Sequence, residues 1–226
     1  MNYFIWIFLA LFVIILTLYI IFYIKNLGIP KTVFSFLLIP FASAFFTSIL
    51  FERYPDSLRI IQTQILAAFF SEAAMLLQLK NEKSLRPLAL LSYLLILAVW
   101  VNLYRPVIYL IRIPSWFPVI FTILMTALFA AFCIFTKTKK FLTLIFLTLS
   151  FFTGSYLLFT ALVELLFNHR LYSLLLTIGS ITTLLQLLIY ASDLHLVAEK
   201  YSQLIYESAY TMSFAVISAA GLLMII

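Results

Sequence analysis

Glu72 and Asp193 are the residues whose type and setting could carry chemistry. Each follows a serine, as Ser71-Glu72 and Ser192-Asp193. Each is followed by an apolar turn and a lysine, in AFFSEAAMLLQLK and IYASDLHLVAEK. Two carboxylates in one low-dielectric site can divide acid–base work, one holding a proton to donate and the other staying ionised to steer water or steady a cation. An acid at the middle of a membrane helix costs about 2.5–3.5 kcal/mol to insert, so both positions need a reason.

The elements that must hold them follow from composition. The chain has 226 residues, is 65% hydrophobic and 10% charged, and has a mean hydropathy of +1.18. That composition belongs to a multi-pass membrane protein, an all-α bundle with no room for an extramembrane domain. The apolar runs predict eight transmembrane helices, at 2–24, 33–51, 59–79, 87–104, 116–136, 141–167, 171–198 and 203–226. Asn26, Gly28, Pro30, Pro55, Asp56, Asn81, Pro87, Pro106 and Pro114 punctuate the breaks. The first run is too long, and too poorly flanked by basic residues, for a cleaved leader, and reads as a retained helix.

The net charge of +6 does not point to nucleic acid, because the basic residues are spread over short loops. They read as topology signals. Odd-numbered loops hold nine Lys and Arg and even-numbered loops five, which sets the odd loops in the cytoplasm and both termini outside. Trp6, Trp116 and Tyr201 suit an interfacial belt. Cys133 reads as a small buried side chain. No GxSxG, Walker loop or HExxH occurs, and His169 and His195 fall at opposite predicted membrane sides, so no metal or cofactor is expected.

The two Ser-acid segments each lie in the third helix of a group of four. Two four-helix halves would be parallel repeats about an axis along the membrane normal, because an even number of spans preserves orientation. Glu72 then lies about seven residues, on the order of 10 Å, inside the odd-loop end of helix three, with Asp193 somewhat shallower in the same leaflet. Thr183, Gln186, Tyr190 and Asp193 recur at spacings of three, four and three, so they form one stripe on helix seven, reading as interhelical glue or as a cavity wall. His195 projects about 200° from Asp193 and reads as interfacial. Ser71, Ser92, Tyr93, Asn102 and Ser192 are further cleft candidates. Glu199 and Glu207 read as headgroup-facing, and Glu164 and Arg105 as near the outer leaflet, where snorkelling suffices.

These features together resemble the YhhN-like lysoplasmalogenases, a family of eight-span membrane proteins. The residues carrying the resemblance are Ser71-Glu72-Ala73-Ala74-Met75-Leu76 in helix three, Ser92-Tyr93-Leu94-Leu95-Ile96 in helix four, Ser192-Asp193-Leu194 in helix seven and the link KNLGIPKTVF at 25–34. The chain departs from the family pattern in having Glu72 for an Asp, Tyr93 where a His would fall, and Gly221 where the last helix often has Gln or His. The resemblance implies hydrolysis of the vinyl ether bond of a lysophospholipid substrate, without a cofactor, releasing a fatty aldehyde. Glu72 would be the acid and Asp193 the base. A small proton-coupled carrier and a non-catalytic membrane subunit are the alternatives. For transport, Pro40 and Gly179 are the available helix interruptions.

Overall fold

A chain that crosses hydrocarbon must satisfy its backbone within each segment, and helices do so. The computed structural model describes residues 3–25, 28–54, 56–79, 85–108, 113–136, 141–191 and 200–224, and among these no strand occurs. The helices are α1 (Tyr3–Ile24), α2 (Gly28–Arg53), α3 (Leu58–Leu79), α4 (Arg86–Ile108), α5 (Trp116–Thr136), α6 (Phe141–Val163), α7 (Leu171–Ala191) and α8 (Lys200–Leu223). A π-helical turn, Glu164–Asn168, prolongs α6. The first seven are long and apolar enough to cross a membrane, and α8 has 24 residues with an apolar stretch at Tyr210–Leu223.

Two boundaries differ from expectation by four residues or more. Helix two begins at Gly28 rather than 33, taking Pro30 into its first turn. The first four N–H groups of a helix have no intrahelical acceptor, so a proline there removes nothing. Pro87 in α4 and Pro118 in α5 occupy the same kind of position. Helix four also continues through Pro106 to Ile108 instead of stopping at 104.

The helices close into a ring, with contacts running α2, α3, α4, α6, α7, α8 and back to α2. Helix α1 packs outside α2, and α5 outside α6. Replacing every helix by the one four places later leaves this pattern of neighbours unchanged, as two parallel repeats require. At the centre the equivalent helices α4 and α8 face each other. Tyr93 meets Tyr210 edge-on at 5.6 Å between ring centroids, Trp100 meets Phe214 at 5.9 Å, and the Tyr104 hydroxyl donates to the Ile217 carbonyl at 2.7 Å. The sequence carries the same equivalence, as Tyr93…Ala98-Val99 in α4 and Tyr210…Ala215-Val216 in α8.

The outer helices break the symmetry. Tyr19 and Tyr23 of α1 are buried with Leu38 of α2. Helix α5 instead leans on α6 through phenylalanines, Phe117 and Phe121 against Phe159, leaving a groove of about 220 Å³. Cys133 is half-buried on this loosely held helix, not in the core as its sequence setting suggested.

Small residues set the tight crossings, as expected where no water drives helices together. A Cβ at Gly179 would collide with the Ile217 side chain of α8, and one at Gly154 would stand 2.7 Å from Leu184 Cδ2 of α7. Gly179→Leu is therefore expected to overpack the α7–α8 seam and cost about 1–3 kcal/mol, read as a lower Tm in detergent. A wild-type Tm would show that the seam is not close-packed.

Candidate functional site

Chain direction fixes the depth of the site. The Arg59 guanidinium, at the start of α3, donates to the Asn102 carbonyl near the end of α4 at 2.5 Å. Twelve residues along α3, on the order of 18 Å, Ser71 is buried and its carbonyl accepts from the Tyr210 hydroxyl at 3.4 Å. Ser71 and Glu72 thus occupy the odd-loop half of the ring, and Asn102 the opposite end. Asn102 is exposed and engaged by Arg59, which separates it from the cleft expected around Glu72.

Glu72 is half-buried, and its Oε1 is enclosed with no hydrogen-bond partner among the described residues. Tyr210 lies close enough for its hydroxyl to interact electrostatically with this carboxylate. Tyr210 in turn belongs to a cluster of three tyrosines from three helices, Tyr210 against Tyr93 and Tyr93 against Tyr190 at 5.9 Å. Arg86, at the head of α4, acts electrostatically on Tyr190 and brings a guanidinium to the mouth of this half.

The helix-seven stripe faces protein over its described length. Thr183, Gln186 and Tyr190 are all buried. The Thr183 hydroxyl donates to the Gly179 carbonyl at 2.7 Å, and the Ser213 hydroxyl of α8 lies 3.2 Å from Gln186 Oε1. Gln186 Nε2 is buried with no partner among the described residues. Ser92 is buried and donates to the Leu88 carbonyl of its own helix at 3.2 Å. Ser192, Asp193, His195 and Glu199 lie outside the described residues, as do the side chains of Arg105 and Glu207. A void of about 20 Å³ bounded by Ser71, Tyr93, Trp100, Thr183, Tyr210 and Ser213 has room for one water.

A second polar layer closes the ring above this void. Ser218 of α8 donates to Gln64 Oε1 of α3 at 2.7 Å, and Gln64 Nε2 returns a bond to the Ser218 carbonyl at 3.4 Å. Gly221 is packed here, where an added Cβ would stand 3.2 Å from the Tyr104 hydroxyl. A larger residue at this position would press on the Tyr104–Ile217 bond.

Glu164 overturns its expected role. It is 1% exposed, which excludes a snorkelling side chain. Its Oε2 accepts from Asn168 Nδ2 at 2.9 Å, and the Tyr172 hydroxyl lies close enough to interact with the carboxylate. The signal was present in α6, where Ser150, Gly154, Leu157, Ala161 and Glu164 recur at spacings of four, three, four and three. All five are buried, so they form one stripe pointing into the bundle. Among the described residues no group of three His, Cys, Asp or Glu gathers to hold a metal ion.

No family model, curated protein or solved structure matches the chain. The distinction between structural and functional polar residues therefore rests on their partners. Gln64 is reciprocally bonded, whereas Glu72 Oε1 has no partner among the described residues. Gln64→Leu should strand Ser218 and cost about 1–3 kcal/mol, while Glu72→Gln should leave Tm at or above the wild-type value. A loss of stability in Glu72→Gln equal to that in Gln64→Leu would make Glu72 a packing residue.

Proposed function

We propose that this protein is a membrane-embedded lipid hydrolase that cleaves the vinyl ether bond of lysoplasmalogens, as the YhhN-like family does. The observation that carries the reading is the Glu72 carboxyl. It is half-buried, the Tyr210 hydroxyl acts on it, its neighbour Ser71 lines a water-sized void, and its enclosed oxygen has no hydrogen-bond partner among the described residues. A carboxyl that is expensive to insert and bonds nothing through that oxygen is available for a substrate.

The reaction needs a proton delivered to carbon. Glu72 donates its proton to the alkene carbon remote from the ether oxygen, leaving an oxocarbenium ion. Asp193, the next position on the Tyr190 stripe and the counterpart of Glu72 in the second repeat, stays ionised against that cation and accepts a proton from the attacking water. The hemiacetal then collapses to a fatty aldehyde and a glycerophospho-alcohol. Water is consumed and no net proton is taken up. Arg86 supplies a cation for the phosphate of the substrate at the mouth, and the alkyl chain remains among the helices. In the bilayer, the odd loops face the cytoplasm and the termini lie outside, which puts the site in the cytoplasmic half.

A small transporter or proton-coupled carrier is the second reading, favoured by one observation, the buried Glu164 toward the opposite end from Glu72. Purified protein offered a lysoplasmalogen is expected to release aldehyde, with Glu72→Gln and Asp193→Asn each slowing release by about 10²–10⁴-fold. Folded wild type that releases none would reject the hydrolase and leave the carrier.

A further inference from the structure

Helix α5 stands on α6 at two places and is held away from it between them. Near the even-loop end Phe117 and Phe121 meet Phe159, and further along Phe129 meets Phe151 and Phe152 at 4.9 and 5.6 Å. These ring contacts act as spacers, and the groove of about 220 Å³ lies between them. Helix α5 gives it Pro118, Phe121, Thr122 and Met125, and α6 gives Phe152, Ser155, Tyr156 and Phe159. Each set has the spacing i, i+3, i+4, i+7, so each is one continuous helix face two turns long. Consecutive spans run antiparallel, so Pro118 lies level with Phe159, and Met125 with Phe152 about 10 Å deeper toward the midplane.

The walls suit hydrocarbon. Among the described residues their polar side chains are Thr122, Ser155 and Tyr156. The Thr122 hydroxyl donates to the Pro118 carbonyl and the Ser155 hydroxyl to the Phe151 carbonyl, each at 2.8 Å within its own helix. Met125 and Ser155 are buried at the floor, whereas Phe152 and Tyr156 are 40% and 39% exposed and open the rim sideways. That side faces lipid, since both walls belong to helices long and apolar enough to span a membrane. No water fills a groove at that depth, and an empty one forfeits dispersion contacts along its length. Its dimensions decide the occupant. A volume of about 220 Å³ over a length of about 10 Å has a section of about 20 Å². A helix 10–12 Å across needs about 80 Å² or more, so a helix of a second copy does not fit, whereas a single polymethylene chain does.

We propose that the groove between α5 and α6 is a binding site for one acyl chain of a phospholipid from the even-loop leaflet. The chain enters from the side, its carbonyl end beside Pro118 and Phe159 and its methyl end toward Met125 and Phe152. It supplies α5 with the packing that buried tyrosines give to α1. The site lies outside the ring, in the opposite half from Glu72, and does not rest on the hydrolase reading.

The test is photolabelling of the full chain in phosphatidylcholine nanodiscs. They contain a trace of phosphatidylcholine with a diazirine near either the carbonyl or the methyl end of one acyl chain, and labelled residues are read by peptide mass spectrometry. Groove residues are expected to take several-fold more label than Ile7 and Ile14, which α1 exposes to the same lipid at matching depths. The carbonyl-end probe should favour Pro118 and Phe159, and the methyl-end probe Met125 and Phe152. Filling the groove with Ser155→Leu should bring its label down to the α1 level. Thr122→Trp, at an exposed position of α5, makes the same test if Ser155→Leu does not fold. Wild-type groove label no higher than that of α1 means passing lipid and overturns the site. So does label that persists in folded filled variants, a reversed order of the two probes, or a dimer whose groove is protected from both.

Discussion

The contact between α4 and α8 along the axis of the bundle is what the remaining helices are arranged around. Neither of these helices is held mainly by loops. They meet through Tyr93 and Tyr210, Trp100 and Phe214, and the bond from Tyr104 to the Ile217 carbonyl. In lipid there is no solvent to squeeze out, so association rests on close packing and on hydrogen bonds with no competing water. The axis supplies both. Large aromatic rings fill it, and the small residues Gly154 and Gly179 let α6 and α7 approach closely around it. The ring closes because each half offers the same face to the other.

Polar groups in the bundle sort into three kinds by where their bonds go. Thr17, Thr122, Thr148, Thr153, Ser155, Thr160, Thr177, Ser180 and Thr183 donate to a carbonyl four residues back, so they add little to contact between helices. Gln64, Ser218, Gln186, Ser213, Tyr104 and Tyr210 bond across helices and fix register. Glu72 and Glu164 belong to neither kind, since each is an ionisable group with an enclosed oxygen that makes no bond across helices among the described residues. A carboxyl is expensive to place in hydrocarbon, and Glu72, which returns no bond to the ring among the described residues, is the one assigned a role outside packing.

The eight helices were legible because crossing hydrocarbon imposes a length of about 20 apolar residues, and that constraint acts on sequence alone. Helix ends were legible less well. Pro30 was read as a breaker, although a first helical turn accepts proline without loss. Burial of Thr183, Gln186 and Tyr190 followed from their spacing, and the same rule applied to Ser150, Gly154, Leu157, Ala161 and Glu164 would have placed Glu164 inside. Distance from the helix end was used for that residue in place of its face. The π turn has no periodic signature, because widening a helix by one residue answers to its neighbours α6 and α7 and not to side-chain pattern. Asn102 was drawn to the cleft by its polarity, whereas Arg59 across an antiparallel pair decides its depth.

The unequal seating of α1 and α5 has a mechanical consequence. Both are outer helices related by the repeat, but α1 is locked to α2 through buried tyrosines, while α5 touches α6 along a phenylalanine ladder beside an open groove. A span held on one flank can change its tilt without breaking the polar layers of the ring. A helix longer than the local hydrocarbon accommodates by tilting, and α5 is the span with the fewest contacts to resist it. The protein then carries a seven-helix body with one compliant arm, and membranes of different thickness would be felt first at Phe117, Phe121 and Phe159.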